Sequence, residues 1–214
     1  MKTSKIILAL TMVFFIGTIS VAQQTDKELK KEIKNKAVKK ARKEARKLKK
    51  QGYYVAPGAL PMDKQLEKAW MKQYEENDEG YPKYFVAQGT SVGETQSAAK
   101  IQATEIAKLD LAGQISNNIA ALIENSIANQ QLNTEDAASV TKTVAASKNL
   151  IAQELGGVLP MVEFYKNINK NIEVQVRLAY SYEMAIEAGK RVIRKSLEEE
   201  TELAHEQLEE LMNW

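Results

Sequence analysis

The sequence predicts an α+β fold: a small, mainly antiparallel sheet with helices packed on one face, plus long helices at both ends. Three observations carry it. Only three segments read as strands: Tyr84 to Val92, Val158 to Phe164, and Ile172 to Tyr180. The last two lie close enough to form a hairpin through Asn167, Asn169 and Asn171. The remaining long segments carry helical periodicity, so the order from Tyr84 onward is β-α-α-β-β-α.

The first 22 residues come before any of this. Lys2 and Lys5 precede an uncharged, mostly apolar run from Ile6 to Ile19, and Ser20-Val21-Ala22 supplies small residues for a signal-peptidase site. Export is expected, with cleavage near Ala22 and a product in the periplasm or on the envelope. The alternative is a retained anchor, since Ile6 to Ala22 reaches the lower limit of the roughly 17–25 residues a spanning helix needs. The chain has no cysteine, so a lipid-anchored leader is excluded and the fold must hold by burial alone.

Residues 23–52 read as a basic helix. From Asp26 to Gln51 there is no Gly or Pro, and Gly52 ends the run. Its apolar stripe, Leu29, Ile33, Ala37, Ala41, Ala45 and Leu48, is narrow and alanine-rich, so the helix needs a partner to be stable. Residues 53–82 form a connector broken by Pro57-Gly58 and Pro61. Asp63 is placed to cap a short helix to about Glu75, with Leu66, Ala69 and Trp70 on one side.

The main domain is expected over residues 83–181. Its first strand leads into a glycine-bounded turn, Gly89 to Gly93. A helix from Thr95 to Ala128 follows, crowded with Ala98, Ala99, Ala103, Ala107, Ala112 and Gly113, then striped by Leu111, Ile115, Ile119 and Leu122. Small residues allow a close backbone approach to a sheet or another helix. A helix capped by Asn133 or Thr134 runs to Leu155, where Gly156-Gly157 stops it. The hairpin strand buries Ile172, Val174, Val176, Leu178 and Tyr180 and wets Glu173, Gln175 and Arg177. Residues 182–214 read as one amphipathic helix from Glu183 to about Met212, long enough for its acidic end to outrun the sheet.

The net charge of +2 conceals an asymmetry. Residues 26–50 hold thirteen Lys/Arg against four Asp/Glu, while Ser196 to Trp214 has seven glutamates and no Lys or Arg. The candidate site residues are therefore Lys30, Lys34, Lys39, Lys40, Arg42, Lys43, Arg46, Lys47 and Lys50. They serve either as a polyanion-binding face or as a face pairing with the acidic C-terminal helix, in which Leu29, Ile33 and Leu48 meet Leu197, Leu208 and Leu211.

Other chemistry finds few parts. His205 is the one histidine and there is no cysteine, so zinc sites and His-dependent nucleophilic catalysis lack their components. Gly89 to Glu94 has no P-loop lysine, and Glu75, Glu76, Asp78 and Glu79 do not match calcium-loop spacing. A carboxylate-only or lysine-based mechanism stays open, but no pair is singled out. No catalytic residue, cofactor, metal, small-molecule substrate or nucleic-acid partner is expected.

Residues 83–180 carry "YFVAQGTSVGE", then "TQSAAKIQATEIAKLDLAGQI", then "VEFYKNINKNIEVQVRLAYS". This pattern resembles the twenty-kilodalton membrane-associated lipoprotein (Lpp-twenty-like) family of bacterial envelope proteins, itself related to the N-terminal domain of a flagellar assembly protein. The flanks, including "GYYVAPGALPMDKQLEKAW", resemble exported proteins of Bacteroides-type bacteria. The resemblance implies a small non-catalytic α+β envelope domain, without the lipidated cysteine here. The expected function is a non-enzymatic exported envelope protein, structural or protein-interacting, that docks on a protein partner or self-associates. The alternative is a polyanion or membrane-surface binder acting through residues 26–50.

Overall fold

The computed structural model describes residue 28 and residues 30–77, 80–130, 134–201, 203 and 205–213. The leader over residues 1–22 lies outside them, as do Asp26, Leu29, Asp78, Glu79 and Asn133. The fold is α+β. In chain order come α1 (residues 30–50), α2 (Met62–Gln73), β1 (Tyr84–Gly93), α3 (Gln96–Gln130), α4 (Thr134–Ala146), α5 (Lys148–Glu154), β2 (Leu159–Ile168), β3 (Asn171–Ser181), α6 (Tyr182–Glu200) and α7 (His205–Leu211). The strands form one antiparallel sheet in the order β1-β3-β2. No helix among the described residues is long and apolar enough to cross a membrane.

β3 is central and pairs on both sides, from Tyr84 opposite Ser181 to Gly93 opposite Ile172, and from Leu159 opposite Ala179 to Ile168 opposite Asn171. A register shift between Pro160 and Val162 adds a bulge to β2. Asn169, at φ 54°, makes the tight turn between β2 and β3. The free side of β2 is partly covered by the connector, where Tyr54 and Tyr165 exchange backbone hydrogen bonds of 2.8 and 2.9 Å.

Helices cover both faces of the sheet, not one. On the first face Val174, Val176, Leu178 and Tyr180 meet Leu111, Ile115 and Ile119 of α3 and the buried residues of α4 to α7 in one core. On the second, Val162 and Phe164 meet Ala41, Ala45 and Leu48 of α1 and Met62, Leu66 and Ala69 of α2. The expected wet face of β3 is therefore buried: Gln175 is 5% exposed and Arg177 8%. Alternation shows that a strand has two faces, but not whether a distant helix covers the polar one.

The small residues of α3 do what their size allows. Gly89 and Gly93 are not a turn; β1 continues through both. A Cβ on Gly89 would sit 1.9 Å from the Ala103 carbonyl oxygen, and one on Gly93 2.9 Å from the Ala99 nitrogen. Helix and strand backbones touch because neither carries bulk there.

Three helix boundaries differ from the sequence reading. Asp63 lies in the first turn of α2, whose N-cap is Pro61, so the carboxylate favours the helix dipole without capping it. The helix expected to run to Leu155 is interrupted at Ser147, whose hydroxyl donates to the Thr143 carbonyl at 2.8 Å and competes with the helical ladder. The C-terminal helix is interrupted too: Thr201 is extended at φ −125°, ψ 156°. Glu198, Glu199 and Glu200 crowd the negative end of the α6 dipole with no base in that turn, a poor place to prolong a helix. The chain then returns as α7, burying Leu208, Leu211 and Met212 against the main core. The acidic end is not free.

Candidate functional site

α1 is seated by an alanine face. Ala37, Ala41 and Ala45 are 0%, 1% and 3% exposed and Leu48 is 7%, so the narrow stripe finds its partner in α2 and the sheet. The pairing with the acidic C-terminal helix is overturned within the chain. Leu48 packs in the second-face cluster, whereas Leu197, Leu208 and Leu211 belong to the core on the opposite face. Arg194, not a residue of α1, pairs with Glu209.

One partly buried polar cluster orients the helix. Glu44 Oε1 accepts from Arg177 Nη2 at 2.7 Å, and Glu44 Oε2 accepts from the Trp70 indole at 2.7 Å. The same Arg177 nitrogen donates to Gln88 Oε1 at 3.1 Å, and the guanidinium lies 5.5 Å from the Trp70 ring centre. A single carboxylate thus joins α1, α2 and β3, and through Arg177 β1. Sequence reasoning missed this cluster. Glu44 is the only acid between Ile33 and Gln51 and sits beside the alanine stripe, a signal that could have marked it as inward-facing.

With Glu44 turned inward, the cations face out. All nine candidates are exposed, and among the described residues none forms an ion pair. At about 3.6 residues per turn, Lys39, Lys43, Arg46 and Lys50 lie opposite the alanine face, with Arg42 and Lys47 on its two flanks. These six make one continuous outer surface. Lys40 is apart from them: its ammonium lies 4.5 Å from the Trp70 ring centre and 4.9 Å from that of Tyr74, a cation–π seat. Lys30 and Lys34 fall in phase with Ala37 and Ala41, yet both are exposed, because of residues 30–36 only Ile33 is partly covered. The nine residues are therefore not one face.

No family model matches the chain, and neither a curated protein nor a solved structure matches it.

The remaining candidates have ordinary structural settings. Glu75 pairs with Lys72 at 2.9 Å. The described part of the acidic turn closes where Asn77 Oδ1 accepts the Tyr81 N–H at 2.8 Å. His205 is exposed, 3.7 Å from Glu209. Among the described residues no group of three His, Cys, Asp or Glu side chains is placed to hold a metal ion.

Proposed function

We propose that the protein is a non-enzymatic, exported module of the cell envelope that holds a cationic helix rigidly against a polyanionic surface. The observation that carries this reading is the orientation of α1. Its one inward acid is spent on Arg177 and Trp70, its outward acid Glu32 is taken by Lys36, and the nine candidate cations form no ion pair among the described residues. A surface of anionic phospholipid or lipopolysaccharide core suits it, since each Lys or Arg near such a surface contributes about 1 kcal/mol. The alanine face is already covered, so the helix would lie on the surface by charge and not by inserting apolar side chains. Export rests on the N-terminal leader, and the Lpp-twenty-like reading on the order of strand, long helix, helical insertion and hairpin over residues 83–181.

The test is cosedimentation with phosphatidylglycerol–phosphatidylcholine vesicles and with phosphatidylcholine alone. Binding is expected only to the anionic vesicles, weakening as salt rises. Changing Lys39, Lys43, Arg46 and Lys50 together to Gln should reduce it by more than about tenfold with the circular dichroism unchanged. Equal binding to neutral vesicles, or no loss in the variant, would refute the reading.

A second reading, docking on a protein partner, is favoured by Ile101, Ile106 and Leu109, which stand 64%, 45% and 41% exposed on α3. Changing all three to Ser should release a partner or dissolve a self-association visible by light scattering. An unchanged mass in a chain that does self-associate would exclude α3 as the contact.

A further inference from the structure

A concave surface lies away from the outer face of α1, where the start of β1, the middle of α3 and the first residue of α6 meet. It is a cleft of about 580 Å³. Tyr84, Phe85 and Tyr182 supply aromatic lining, and Gln114, Asn118 and Asn125 supply carboxamides. Phe85 and Tyr182 stack, with ring centres 5.2 Å apart and planes at 21°. The Tyr182 hydroxyl donates to Asn118 Oδ1 at 2.9 Å, which sets the orientation of that amide. Asn118 Nδ2 and the whole Asn125 amide have no protein partner among the described residues.

The lining selects a ligand class by what it lacks as much as by what it holds. In a chain whose residues are 27% charged, no described residue of this cleft carries a charge. The neighbouring Lys72 ammonium, 4.0 Å from the Tyr84 ring centre, is already paired with Glu75 at 2.9 Å, and Asp110 Oδ2 lies 3.4 Å from Gln114 Nε2. A phosphate, a carboxylate or a nucleic-acid backbone would therefore find no free counter-ion in the lining. An acyl chain would leave Asn118 Nδ2 and the Asn125 amide unpaired. A peptide adding to the edge strand β1 would compete for the Val86 carbonyl, which already accepts from Gln114 Nε2 at 3.2 Å. We propose that the cleft binds a neutral oligosaccharide. A pyranose ring presents flat C–H faces to the aromatic rings, and its hydroxyls both donate and accept, as carboxamides do. Tyr81, 60% exposed at the rim, extends the lining for a further sugar unit.

This site uses no residue of α1, so its failure and that of the vesicle experiment are independent. The test is titration calorimetry of the purified chain with maltoheptaose, with tetra-N-acetylchitotetraose, and with an uncharged proline-rich decapeptide. Saturable binding of at least one sugar is expected, with preference between the two reporting whether acetamido groups are read. Asn125→Ala should weaken it at least about tenfold. Ala121→Arg, at an exposed lining position on α3, should block it without touching the core. Tyr182→Phe keeps the stack but removes the bond to Asn118, so it should weaken the binding and leave thermal stability close to wild type. No saturable binding of either sugar would overturn the proposal. So would sugar binding that survives both Asn125→Ala and Ala121→Arg, or saturable binding of the decapeptide alone.

Discussion

Arg177, at the middle of the central strand, donates to Glu44 of α1 at 2.7 Å, across 133 residues of sequence. Their side chains are only 10% and 22% exposed, so each charge depends on the other for its solvation. Glu44→Ala leaves a buried guanidinium without its counter-charge and should cost about 2–4 kcal/mol in urea unfolding. The double variant Glu44→Ala/Arg177→Met should recover much of that loss. A double variant as unstable as the sum of both single changes would show that the pair is not coupled.

Gly89 is the point of closest approach between β1 and α3, and the atoms a Cβ would strike there are backbone atoms that cannot turn aside. Gly89→Ala should therefore destabilise by about 3 kcal/mol or more, or prevent folding. Gly156→Ala, with nothing within 4 Å of the added carbon, should be neutral to slightly stabilising. Similar thermal midpoints for the two variants would contradict the contact.

α7 is part of the core. Leu211 is fully buried, so Leu211→Ala should cost about 2–5 kcal/mol, as a core cavity does. A free acidic tail would predict no change. Thermal unfolding separates the two.

Alkaline conditions should expose a different weakness. Burial, aided by the Glu173 carboxylate that its hydroxyl bonds, pushes the Tyr53 phenol up to about 12. Tyr165 is raised in the same way, by burial and by Glu163. A folded value above the unfolded one, about 10, gives stabilisation that is complete below about pH 10 and lost as pH rises through about 12. Lys190, lowered by burial, acts with the opposite sign near its own titration. Stability of Tyr53→Phe should thus fall less than that of the wild type over this window. Parallel pH profiles for the two proteins would rule the linkage out.

Deleting the basic helix cannot separate its two readings. Its removal uncovers Val162, Phe164 and Arg177 along with the cations, so a loss of stability follows whatever α1 binds. Substitutions on the outer face are the discriminating ones.

Local chemistry was legible in the sequence because it depends on neighbours in the chain. Alternation placed β3, breakers at Gly52 and Gly157 ended their elements, and the alanines of α3 announced a tight contact. The charge asymmetry located the candidate face, and the glutamate run at Glu198 to Glu200 carries the reason α6 stops. What the sequence determined by itself was therefore the broad helix and strand segments and where the charge lies, but not the breaks at Ser147 and Thr201 or the run of β1 through Gly89 and Gly93.

Only the tertiary structure decided which faces meet. Periodicity shows that α1 has an apolar side and that β3 has two sides, but both statements are equally true before and after the helix docks. Docking α1 and α2 on the second face turned Gln175 and Arg177 from solvated to buried, and left Glu44 as the one inward-turned acid among the twelve bases of α1. The fold-back at Thr201 likewise gave Leu208 and Leu211 to the core instead of to α1. These outcomes are settled by burial and charge pairing between residues far apart in the chain, energies that no local pattern contains.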